Sequence, residues 1–186
     1  MYIRRGNTRI VFVFPKLGFV IKFPIIHLWP IRKIIRYLSR RNWDNIKRWV
    51  GQWKISVDCS CSLKVPVIGG IVANWHERKV WEQTHHILLI PTWFSLFGLM
   101  NIQKYGEPLK INGIWIAVNI DKLTNRASEQ CGHGFEIAGN YCEVNGCLRL
   151  IDYGGRRLWP VILEHGEKIA KVTVAECMKD PFEEKK

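Results

Sequence analysis

The chain has 186 residues, enough for one well-filled core or two small lobes. Its 28 lysines and arginines stand against 16 acidic residues, and the net charge of +12 attracts polyanions without choosing among nucleotides, nucleic acid, acidic lipid or an acidic protein. No apolar run approaches the ~20 residues of a membrane span, no secretory signal is visible, and no zinc-finger or helix-turn-helix pattern stands out. The expectation is a soluble protein of a bacterial or host-cell cytoplasm, without a transmembrane segment.

A strand is expected at the N-terminus, and Gly6 in Arg5-Gly6-Asn7-Thr8 marks a turn. Two β-rich runs follow, 8–14 and 17–24, joined at Pro15-Lys16 with Gly18 close behind, which predicts a hairpin. Lys22 stands alone in the apolar run 19–26. A lone ammonium in a buried strand is costly unless paired; the alternative is a lysine snorkelling from an edge strand. An enlarged connection then spans about 25–69. Ile31, Ile34, Ile35 and Leu38 have helical spacing after Pro30, and Arg32, Lys33, Arg36, Arg40 and Arg41 fill much of the remaining face. A second helix is predicted over 44–53, with Ile46, Trp49, Val50 and Trp53 apolar and Lys47, Arg48 and Lys54 continuing the charge. This basic, aromatic-laced pair suits nucleic acid or an anionic membrane. It also suits a helical hairpin packed on its neighbours, with a solvated cationic outer face.

Residues 70–86 predict a helix with Ile71, Trp75, Val80 and Trp81 apolar. It offers Lys22 a carboxylate partner: Glu77 near its middle is preferred over Glu82, and a solvated surface position is the alternative for either. Two strands, 93–95 and 99–103, turn near Phe97-Gly98, and 103–108 lead onward. A hairpin is predicted over 141–147, turning at Asn145-Gly146. The buried strand 148–151 then ends in Asp152-Tyr153-Gly154. Asp152 stands at the mouth of a sheet, with Asn140 twelve residues upstream. One anionic and one neutral oxygen suit Mg²⁺, which draws its other ligands from water and phosphate; an ordinary Asp-Tyr-Gly turn is the plainer alternative. One helical element is predicted over 161–178, with a frayed tail at 180–186.

These motifs resemble the protein-kinase-like fold. His133-Gly134-Phe135-Glu136-Ile137-Ala138-Gly139-Asn140 is similar to the catalytic loop H-x-D-x-x-x-x-N of kinases and aminoglycoside phosphotransferases, and Asp152-Tyr153-Gly154 to the D-F-G motif. The resemblance implies that Asn140 and Asp152 bind metal and that His133 is the structural histidine of the loop. It implies that Lys22 contacts nucleotide phosphates and is held by Glu77, and that Gly6 belongs to a reduced glycine-rich loop. A hinge at Gln103 and Tyr105 would hold adenine through its backbone. The implied ligands are ATP and Mg. Phe135 occupies the position of the catalytic Asp, and a phenyl ring cannot accept a proton, so Glu136 next door is the remaining candidate base.

The implied architecture is α+β and bilobal. An antiparallel five-stranded small lobe would cover 1–106, with the basic helical insert at about 25–69. A reduced helical second lobe over 107–186 would carry the H…N and D-Y-G motifs, without A-P-E or a peptide-binding platform. Three functions are compatible: a phosphotransferase of unknown acceptor, a catalytically inactive pseudokinase serving as a binding module, and a basic nucleic-acid-associated or virion-associated structural protein. Small atypical kinase-like proteins of this kind are at home in bacteria or phages. Six cysteines include the C-x-C at Cys59 and Cys61 together with Cys131, Cys142 and Cys147. No second tight pair completes a zinc site, so reduced thiols are expected.

Overall fold

A computed structural model describes residues 1–54, 64–110, 113–129, 134–135 and 137–177. His133, Glu136, Cys59, Cys61, Cys131 and the tail lie outside the described residues. The architecture is mixed α+β: a five-stranded antiparallel sheet, a separate two-stranded hairpin and several helices.

Strands β1 (Tyr2–Arg5), β2 (Arg9–Phe14) and β3 (Phe19–Pro24) form a meander. The β2–β3 connection is a 3₁₀ turn at Pro15–Leu17, closed by Gly18 at φ 73° with its N–H on the Pro15 carbonyl at 3.1 Å. A left-handed φ costs glycine nothing, because it has no Cβ. Two more strands, β4 (Thr92–Ser95) and β5 (Asn101–Lys104), complete the sheet in the order β1-β2-β3-β5-β4. Pairing of Val11 with Lys22 and of Val13 with Val20 sets the parity. Arg9, Val11, Val13, Val20 and Lys22 therefore share one face, while Phe12, Phe14, Phe19 and Phe23 occupy the other, as the two-residue period of a strand requires. There Phe14 stacks on Phe19 at 4.9 Å and Phe12 meets Phe23 edge-on at 5.7 Å.

Between β3 and β4 run α1 (Trp29–Ser39), α2 (Trp43–Lys54) and α3 (Lys64–Thr84). The third helix starts before residue 70, and Pro66 is accommodated because it falls in the first turn, where no intrahelical N–H is required. It seats against the sheet through small residues. A Cβ on Gly70 would strike Thr8 and Pro24, and one on Gly154 would lie 2.6 Å from the Ala73 carbonyl oxygen. Helices α1 and α2 pack on one another, with Trp49 buried between Trp29 at 5.9 Å and Tyr37 at 6.0 Å. The apolar stripe of α1 is not consumed by that contact: Ile31, Ile35 and Leu38 are exposed.

The main apolar core lies beyond the sheet. It joins the end of α3, the strap 88–90, α4 (Gly113–Leu123), the hairpin β6 (Tyr141–Val144) and β7 (Cys147–Leu150), and α5 (Leu158–Ala170). Ile116, Ile120, Leu148, Leu150 and Ile162 are fully buried, each stabilising by about 1.5–3 kcal/mol relative to exposure. The strap ties to β7 by bonds from Leu150 N to Leu88 O (2.7 Å) and from Ile90 N to Leu150 O (3.0 Å). The single helix expected over 161–178 is broken. Helix α5 stops at Ala170, and α6 (Val174–Cys177) begins anew behind Thr173. The Thr173 hydroxyl accepts from Glu176 N at 3.2 Å, and the Glu176 carboxylate accepts from Thr173 N at 2.8 Å, a reciprocal N-terminal cap that overrides helical continuity. Among the described residues no helix is long and apolar enough to cross a membrane.

Candidate functional site

The parity of β2 and β3 points two cations, Arg9 and Lys22, at the middle of α3. There Glu77 is fully buried. Lys22 Nζ donates to Glu77 Oε1 at 2.9 Å and Oε2 at 3.0 Å, and to the Ile151 carbonyl at 2.9 Å. Arg9 Nη1 donates to the same Oε1 at 2.7 Å, and Nη2 reaches Asp152 Oδ1 at 2.5 Å. Two buried cations thus face two carboxylates. Desolvating each such ion costs several kcal/mol, and only close, hydrogen-bonded partners repay it. The alternative partner, Glu82, is instead tied to Arg78 on the surface of α3 at 2.6 Å.

Two asparagines brace this cluster. Asn74 Nδ2 donates to the Lys22 carbonyl at 3.3 Å and to the Gly98 carbonyl at 3.0 Å, and its Oδ1 accepts from Arg9 at 3.4 Å. Asn101 Nδ2 donates to the Asn74 carbonyl at 2.8 Å and to Glu77 Oε2 at 3.4 Å. Tyr153 anchors the other side: its hydroxyl donates to the Ile90 carbonyl at 2.7 Å and meets the Thr92 hydroxyl at 2.7 Å. Gln103 is buried and donates to that same hydroxyl at 3.3 Å.

Burial alone would raise the Asp152 carboxyl; the charge of Arg9, and then of Lys22, outweighs it and holds the group at about 2. Burial also works against a charged Arg9, yet Asp152 and Glu77 keep its guanidinium firmly protonated. Lys22 is lowered, first by burial and further by the neighbouring Arg9, with Glu77 opposing.

A cavity of about 430 Å³ opens over this cluster, and its wall includes Gly6, Lys22, Gln103, Tyr105, Asn140 and Asp152. The volume lies in the range of small-molecule sites. Among the described residues four cations, Arg4, Arg9, Lys22 and Lys104, line it against the carboxylate of Asp152. Tyr105 closes one edge. Its amide is already bonded to the Gly18 carbonyl at 2.8 Å, so that N–H does not serve a ligand, and its phenol bonds Tyr2 and is pushed up to about 12, first by burial and then by that bond. Asn140 ends a 3₁₀ turn, Ala138–Asn140, and its Nδ2 donates to the Gly134 carbonyl at 2.9 Å.

Phe135 is buried in the apolar core, and its carbonyl accepts from the Tyr141 hydroxyl at 3.1 Å. Cys142 is a free thiol pushed up to about 12 by burial, and Cys147 is also free. Among the described residues no three His, Cys, Asp or Glu side chains gather into a metal-binding group. Asp152, expected to face Mg²⁺, instead has its Oδ1 held by the Arg9 guanidinium.

Arg9 is the site residue missed in sequence. A detectable signal existed, because the hairpin register puts Arg9 and Lys22 on one face of an otherwise apolar pair of strands. Comparison of the chain with protein-family models, with curated proteins and with solved structures gave no match.

Proposed function

We propose that this cleft binds a nucleoside triphosphate, with ATP the expected ligand, in a kinase-like module that acts by binding rather than by phosphoryl transfer. The convergence of Lys22 and Asp152, drawn from distant parts of the chain, at the wall of one cationic cavity, with Glu77 buried behind Lys22, carries this reading. It is supported by the sequence of elements: strand pair with lysine, helix with glutamate, two strands, connector, hairpin, Asp-Tyr-Gly. In a protein-kinase-like, bilobal arrangement the five-stranded sheet would be the small lobe, and α4, the β6–β7 hairpin and α5 would belong to the second. Phe135 in place of the catalytic Asp favours the binding role over a transferase; Glu136, the remaining candidate base, lies outside the described residues.

Differential scanning fluorimetry with ATP tests the reading. At a nucleotide concentration 100-fold above Kd, mass action stabilises by about 2.7 kcal/mol, a rise in Tm of roughly 5–10 °C for a chain of this size. Lys22→Met should abolish the rise, and no shift at millimolar ATP would sink the nucleotide reading. Label from γ-phosphate appearing on the protein or an added acceptor would instead favour the transferase.

The α1–α2 hairpin supports a second role. Arg32, Lys33, Arg36, Arg40, Arg41, Lys47 and Arg48 are exposed on it, a surface suited to nucleic-acid phosphates through counterion release. A salt-sensitive gel shift with random RNA or DNA, lost when Arg36, Arg40 and Lys47 are neutralised, tests that contact. Retention of the shift by the neutralised protein would remove the hairpin from consideration, and an acidic protein partner would then have to be sought at another surface.

A further inference from the structure

We propose that the Arg9 guanidinium takes the place of a divalent cation at Asp152, so that the cleft accepts a nucleoside triphosphate free of metal; the proposal rests on the nucleotide reading above. A metal at such a position has two tasks, to neutralise the carboxylate and to draw in the phosphates. Arg9 performs the first. Its Nη2 lies 2.5 Å from Asp152 Oδ1, and the side chain is almost wholly buried. The group cannot lose its charge at any ordinary pH. It is also pinned from behind, by Glu77 Oε1 at 2.7 Å and Asn74 Oδ1 at 3.4 Å, so it is not a surface arginine free to swing aside. A dication approaching Asp152 would meet this fixed charge at close range. Expelling Arg9 would leave Glu77 with Lys22 as its remaining cationic partner.

The second task falls to the wall. Among the described residues Arg4, Arg9, Lys22 and Lys104 outnumber the carboxylate of Asp152, and they offer the phosphate chain direct ion pairs. A guanidinium presents paired donors that match phosphate oxygens. Asn140, the other expected metal ligand, has its amide nitrogen committed to the Gly134 carbonyl at 2.9 Å. That bond steadies the loop, as does the bond from Ile151 N to the Asn140 carbonyl at 2.7 Å; it occupies the amide nitrogen and not the oxygen that a cation would take. A nucleotide held this way has no metal bridging its phosphates, in keeping with a binding module.

The test is a titration of the full chain with a fluorescent N-methylanthraniloyl derivative of ATP, once in EDTA and once in excess magnesium. The wild type should bind in EDTA at least as tightly as in magnesium. Asp152→Asn should keep its binding in EDTA or tighten it, since a carboxylate facing the phosphates is lost and the Nη2 donor of the still-pinned Arg9 is freed for them. Arg9→Gln should bind about tenfold more weakly in EDTA and recover in magnesium, because Asp152 is then open to the ion. Arg9→Lys, which keeps the charge at that position, supplies the comparison if the glutamine variant does not fold. Wild-type binding that requires magnesium, abolished by Asp152→Asn, overturns the Arg9 proposal and leaves the nucleotide reading intact. Binding in neither buffer overturns both.

Discussion

Arg9 and Asp152 meet across 143 residues of chain, Nη2 to Oδ1 at 2.5 Å, at the floor of the only cleft that also contains Lys22 among the described cavities. Glu77 holds both cations from the opposite side. The four groups neutralise one another, and each depends on the rest for the cost of leaving water.

Glu77→Gln preserves shape and removes the charge that Arg9 and Lys22 share. Breaking a buried ion pair from one side costs about 3–5 kcal/mol. Urea denaturation should show a loss of that size, whereas Glu82→Gln, from an exposed pair on the same helix, should stay within about 0.5 kcal/mol. Equal effects would mean that the buried cluster does not stabilise the fold.

Acid should weaken the protein through Asp152. Its folded value of about 2 lies below the ordinary 3.8, so the folded state binds this proton less readily than the unfolded chain. The contribution is whole above 3.8 and drains as the pH falls toward 2. With 45 % of the side chain open to the cleft, solvent screening reduces the effect below that implied by the full shift. Urea midpoints measured across this interval should fall, and the Asp152→Asn variant should lack that part of the slope. A slope unchanged by the substitution would assign acid sensitivity elsewhere.

Gly154→Ala should destabilise by about 1–3 kcal/mol, because overpacking against fixed backbone forces a shift. The added Cβ would lie 2.6 Å from the Ala73 carbonyl oxygen, so Ala73→Gly gives no relief. Thermal melts of the single and double variants measure this. Recovery in the double variant would show that side chains, not backbone, set the contact.

Tyr153→Phe should cost about 1–2 kcal/mol, since the Ile90 carbonyl would lose a buried donor. The outcome is read from the same denaturation curves, and a neutral effect would place water in the vacated position.

Much of the backbone plan is legible in the residues. Alternation over 8–14 and 17–24, helical spacing after Pro30 and the Asn145-Gly146 turn all predict elements close to those present. Local patterns served less well where two rules compete. The apolar run after Val161 reads as one helix until the Thr173–Glu176 cap is weighed against it. Helix α4 escaped notice although Ile116 and Ile120, four residues apart, bury one face. Glu77 and Glu82 both suit a partner for Lys22 by spacing alone. Burial separates them, since Glu77 turns inward to two cations while Glu82 stays at the surface with Arg78.

By itself the sequence determined the mixed α+β composition, the hairpins, a lysine in need of a partner and an acidic turn after a buried strand. These follow from short-range sterics and from hydrophobic period, both properties of neighbouring residues. Tertiary structure alone decided that Arg9, one cation among 28 in the sequence, would lie between Glu77 and Asp152. That outcome depends on strand register, on helix seating and on the close approach of Gly154 to α3. Electrostatic energy depends on distance and burial in space, which position along a chain does not specify.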